Sequence, residues 1–179
     1  MRSLVFLVAV CPIAAVAECP PAPDHTAELV QLFDAARSAP NETMGRAHGA
    51  AMWEIWTDAP DEPAQALLDK GLAAIRVGDF VSAFSALNRL VEYCPDYSEG
   101  WNQRAFAHYL SGDYARALPD LETAVDLNPV HVGALAGLAL TLIKLGRDDE
   151  AQGWLKAALE LNPWLAERHL LKDAPGSDL

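Results

Sequence analysis

Three cysteines, none of them in a CxxC or CxxCH arrangement, give no support to a thiol-redox centre, haem attachment or a zinc knuckle. Positive charge is scarce as well: 13 basic residues face 25 acidic ones, for a formal charge of -12. A surface of that sign repels nucleic-acid phosphates and anionic lipid, so neither is an expected partner. No GxSxG, HExxH or phosphate-cradling glycine loop occurs, so neither an enzymatic activity nor a cofactor is expected. The uncharged apolar run from Leu4 to Val16 is shorter than the about 20 residues that span a bilayer. What is plentiful is apolar residues, 51% of the chain against 21% charged, enough for a core and a solvated surface.

The apolar run follows Arg2 and ends in Ala15-Val16-Ala17, a pattern that reads as a signal peptide, residues 1-17, with cleavage between Ala17 and Glu18. The expected location is therefore periplasmic or secreted. Lipid attachment is disfavoured, because Val10 before Cys11 and Glu18 before Cys19 are larger than the residue such processing prefers. Export would leave Cys19 and Cys94 in an oxidising compartment. They are either a bridge tying the new N-terminus to the first repeat or two separate thiols. Sequence leaves both open, since a bridge needs Cα atoms within about 7 Å.

Sliding the chain against itself by 34 residues aligns its special positions. Gly78, Gly112 and Gly146 coincide, as do Ala83, Ala117 and Ala151, then Leu87, Leu121 and Leu155, then Pro95, Pro129 and Pro163. Leu67, Trp101 and Leu135 form a further column, and Gly71, Ala105 and Ala139 another of small residues. Glycine permits the positive φ that ends a helix, and proline does not continue one. Each unit is thus helix, turn, helix. A single unit has an apolar face with nothing to cover it, and stacking three covers it.

At these residues the chain resembles the tetratricopeptide repeat family. The unit Ser98 to His131 matches best, through Trp101, Ala105, Gly112, Tyr114, Ala117, Leu121, Ala124 and Pro129. The resemblance implies an all-α solenoid with units at about 64-97, 98-131 and 132-165, within a repeat region 61-165. It also implies a non-enzymatic scaffold or adaptor that binds a protein or peptide. Two departures stand out: Asp148 replaces the aromatic after the third glycine, and Pro119 lies inside a helix, where it is expected to kink the chain.

Residues 18-60 read as a proline-rich entry followed by two helices outside the repeat pattern. The first spans about 26 to 39, with Leu29, Leu32, Phe33 and Ala36 on one face, and the second runs to about Thr57. Asn41, which also fits a glycosylation pattern, is read as the cap of the second helix. This hairpin is expected to shield the first unit. Asn162 is placed to cap a closing helix from Pro163, and residues 166-179 complete a cap and tail.

In the family, the first helices of the units line a groove. Carried over by position, that groove comprises Leu68, Leu72 and Arg76, then Asn102, Phe106 and Tyr109, then Leu140 and Lys144. Phe106 and Tyr109 would be anchors, Asn102 would bond a ligand backbone, and Arg76 and Lys144 would meet an acidic group. The leucines stand where a carboxylate clamp would need cations, so a clamp is not expected. The competing reading lets the N-terminal hairpin or the tail fill the groove. Another alternative is copper handling, because Met44, His48 and Met52 fall at helical spacing and soft ligands suit Cu(I), although methionines so spaced also fill cores. His25, His131 and His169 have no ligand spacing, and His108 is expected at a helix interface.

Overall fold

The computed structural model describes residues 18–172, and its fold is all-α. Helices α1 (Thr26–Ser38) and α2 (Glu42–Trp56) form an N-terminal hairpin. Three further hairpins follow: α3 (Glu62–Arg76) with α4 (Phe80–Tyr93), α5 (Ser98–Leu110) with α6 (Tyr114–Leu127), and α7 (Val132–Lys144) with α8 (Asp148–Leu161). The expected leader, residues 1–17, lies outside the described residues, as do residues 173–179.

The turn inside each repeat is the same device three times. Gly78, Gly112 and Gly146 sit at φ of 73°, 81° and 75°, the left-handed region a side chain disfavours. The next amide reaches back five residues to close the helix end: Asp79 to Ala74, Asp113 to His108, Arg147 to Leu142. In the first two units the same aspartates cap the following helix, accepting from the Ser82 and Arg116 amides. Asn41 caps α2 by accepting from Met44 N at 3.1 Å. Helix α6 runs on through Pro119, whose carbonyl accepts from Thr123 Oγ1 at 2.9 Å.

Two cores hold the stack. The first, around α3 and α4, contains Leu68, Leu87 and Leu90, all fully buried and each contributing about 1.5–3 kcal/mol by leaving water. The larger core joins Leu121, Leu135, Leu142 and Leu155 of the second and third units to Leu29, Phe33, Met52 and Trp56 of the N-terminal hairpin. That membership corrects the expectation for the hairpin, which covers the second and third units rather than shielding the first. Apart from Val77 and Val81 near its turn, the first unit exposes mainly polar side chains, among them Asp69, Lys70, Arg76, Asn88, Arg89 and Glu92, which face water without a covering hairpin.

The hairpin is tied down from both ends. Cys19 and Cys94 are bridged, with Cα atoms 5.1 Å apart, which pins the segment before α1 to the end of α4. Tyr97 donates to the Trp56 carbonyl at 2.6 Å, and His25 Nε2 lies 2.8 Å from Asp58 Oδ2. At the far end Trp164 fills a notch against Gly45 and donates its indole N–H to the Ala36 carbonyl at 2.8 Å. Arg37 reaches the Glu160 carbonyl, and Arg168 pairs with Glu42 at 3.2 Å. The closing helix is a short 3-10 segment, Ala166–Leu170, reached through a turn in which Asn162 Oδ1 accepts from Trp164 N.

Candidate partner-binding pocket

Helices α5 and α7, the first helices of the second and third units, bound a pocket of about 260 Å³. Phe106, Tyr109 and Leu140 form walls, while Gly133, Ala136 and Gly137 keep α7 thin enough to leave the space. Trp53 from α2 closes one side, and Leu165 and Glu167 from the segment after α8 close another. Phe106 is 46% exposed and Trp53 40%, so two large aromatic faces remain open to solvent. Burial, then Tyr114 and Glu167, pushes the Tyr109 phenol above its ordinary value, which keeps it protonated and neutral.

Beneath the pocket lies a buried polar cluster. The Glu99 carboxylate, fully buried, accepts from Asn102 Nδ2 at 2.8 Å, Gln103 Nε2 at 2.6 Å and His131 Nε2 at 2.8 Å. His131, also fully buried, caps α7 by accepting the Ala134 amide on Nδ1 at 3.1 Å. That bond leaves Nε2 as the protonated nitrogen and so orients the imidazole towards Glu99. The Trp56 ring stacks on the imidazole at 4.3 Å. Burial, reinforced by Glu99, Asp58 and Asp69, also holds the nearby Tyr97 phenol well above its usual range. The cluster locks the N-terminal ends of α5 and α7 together, fixing the pocket floor.

Of the residues carried over by position, the pocket gathers Asn102, Phe106, Tyr109 and Leu140. It does not gather Leu68, which is fully buried in the first core, or Leu72, half-buried against that core. Arg76 and Lys144 are exposed at the C-terminal ends of their helices, outside the pocket lining. One amide N–H of Asn102 serves Glu99. Trp53 and Glu167 come from outside the repeat region and Leu165 from its last position, and none of them carries a signal of its own in sequence. The hairpin and the segment after α8 therefore occupy part of the expected groove and leave a pocket.

The stripe Met44, His48 and Met52 divides between environments: Met52 is fully buried in the larger core, His48 half-buried and Met44 47% exposed. Met52 is thus a core side chain packed among Leu29, Phe33 and Trp56, which corrects the copper alternative. Among the described residues, no group of three or more His, Cys, Asp or Glu side chains is placed to hold a metal ion. His108 lies at a helix interface, stacked on Phe84 at 4.4 Å, and burial holds its imidazole below the ordinary value. No helix among the described residues is long and apolar enough to cross a membrane.

Residues 108–172 match the family model described as tetratricopeptide repeat. A TPR repeat-containing protein of Rhizobium etli is 31% identical over 93 residues, 52% of this chain and 46% of that protein. Human tetratricopeptide repeat protein 36 is 33% identical over 128 residues, 66% of this chain and 65% of that protein. The chain thus spans about half to just under two thirds of these relatives. Among solved structures, the first TPR of Spaghetti (RPAP3) bound to an HSP90 peptide superposes with a TM-score of 0.57 at 24% identity, covering 60% of this chain and 91% of that one.

Proposed function

Because this chain is a tetratricopeptide repeat protein, we propose that it is a non-enzymatic scaffold that docks a protein or peptide on the pocket between α5 and α7. One observation carries this reading. Phe106 and Trp53 stay 46% and 40% exposed beside Tyr109 and Leu140, so that large aromatic side chains converge on one concave pocket instead of standing singly on the surface. Exposed aromatic surface over a rigid floor is the kind of anchor point at which interfaces concentrate their energy. Spaghetti (RPAP3), whose repeat domain has the same fold, holds a peptide in its structure, which supports the same use here. Among the described residues, the pocket lining contains no Lys or Arg, which supports an anchor other than a carboxylate.

The scaffold acts, in this reading, in the periplasm or outside the cell, without nucleic-acid partners. The pattern of residues 1–17 supports export, and so does the Cys19–Cys94 bridge, since disulfides persist in oxidising compartments. The test is affinity capture from the native envelope fraction with the wild-type chain and a Phe106→Ala/Tyr109→Ala variant, read by mass spectrometry alongside far-ultraviolet circular dichroism. The variant should lose its partners while keeping its helicity. Equal capture by both would remove the pocket from consideration.

A further inference from the structure

We infer that the pocket holds a cationic side chain, a lysine or arginine of the docked partner, as an aromatic cage. This deepens the docking reading above and rests on it. Three aromatic residues, Trp53, Phe106 and Tyr109, contribute to one enclosure of about 260 Å³. A cavity of about 150 Å³ holds benzene, and drug-sized ligands need about 300–1,000 Å³, so the space suits one long side chain and little more. Aromatic faces carry negative charge density and attract ammonium and guanidinium groups.

The polar groups point to the same sign. Among the described residues that line the pocket, the one charged side chain is the carboxylate of Glu167, and no Lys, Arg or His is present. Gln103 Oε1 is a buried carbonyl oxygen without a hydrogen-bond partner, so its lone pairs add negative potential to the floor, and the unpartnered Thr141 hydroxyl is free to turn its oxygen the same way. The buried Glu99 carboxylate lies directly below, bonded to Asn102 and Gln103 of the lining. Around all of this the chain carries a net charge of -12, which draws a basic segment towards it. Glu167 sits at the wall to meet the cation, while Leu140 and Leu165 take its apolar stem.

The test uses the full chain and fluorescein-labelled pentapeptides of alanine and leucine. Lysine, arginine, norleucine or glutamate stands at the central position, and binding is read by fluorescence anisotropy. The lysine and arginine peptides should bind roughly tenfold more tightly than the norleucine peptide. Glu167→Gln and Phe106→Leu, both at the pocket wall, should each remove most of that preference, with circular dichroism reporting the fold. Equal binding of lysine and norleucine peptides would overturn the cationic anchor and leave the docking pocket standing. Absence of binding by every peptide would overturn both. Tetramethylammonium is the remaining arm: quenching of Trp53 fluorescence by this ion, lost in Trp53→Phe, with no peptide binding, would assign the cage to a small quaternary amine and refute a partner side chain.

Discussion

The notch at Gly45 offers a sharp test of how the hairpin is held. A Cβ built there would lie 2.1 Å from two ring atoms of Trp164 and 2.6 Å from a third, too close for any contact to survive unchanged. Gly45→Ala therefore has two opposed effects. Alanine in a helix interior gains about 1 kcal/mol over glycine, and overpacking costs about 1–3 kcal/mol. The net change is a loss of roughly 0–2 kcal/mol, with the Trp164 indole displaced from the Ala36 carbonyl. In a Trp164→Ala background the obstruction is gone, and the same Gly45→Ala change should stabilise by about 1 kcal/mol. The coupling of the two substitutions is then roughly 1–3 kcal/mol, measurable by urea denaturation of the four proteins in the cycle. Hydrogen exchange should show α1 and α2 losing protection in Gly45→Ala before the three repeat hairpins do. Additive free energies would refute the notch as the site of docking.

Two other outcomes follow from the structure. Cysteines 75 residues apart close a long loop, so Cys19→Ser, at the less buried end of the bridge, should lower stability by about 4 kcal/mol in denaturant titrations, and an unchanged midpoint would contradict the tie. Burial against Phe84 holds His108 below its ordinary 6.5, so the unfolded chain takes up a proton that the folded chain resists. Stability contributed by His108 is therefore present above about pH 6.5 and is lost as pH falls towards the depressed folded value. Wild type should lose stability relative to His108→Gln between pH 7.5 and 5.5, and a constant difference across that range would contradict the burial account.

The repeat architecture was legible because each unit repeats its own local chemistry. Gly78, Gly112 and Gly146 occupy the same left-handed turn, and a period that reflects backbone geometry survives in a single sequence. The hairpin was legible as two helices, but its place was not. Its docking depends on pairs such as Trp164 with Gly45 and Trp56 with His131, which no local pattern announces. Part of the pocket floor did leave a trace. Asn102 stands in the column where the other units have Leu68 and Ala136, so one polar side chain interrupts an otherwise apolar column on that face of α5. Glu99 belongs to that face at helical spacing, yet an acid in the first turn of a helix reads equally well as a solvated one. Trp53, Leu165 and Glu167 join the wall through tertiary packing alone.

Trp164, Arg37 and Arg168 join the last helical pair to the first helices of the chain, so this solenoid has a fixed length. Stacks of this kind grow by duplicating a unit, and here one more unit would carry α8 a full step away from α1. Trp164 would leave its notch, and the wall built by Trp53 and Leu165 would come apart with it. A repeat gained between α2 and α8 would therefore dismantle the pocket, and within that span the sequence can diversify by substitution but not by lengthening.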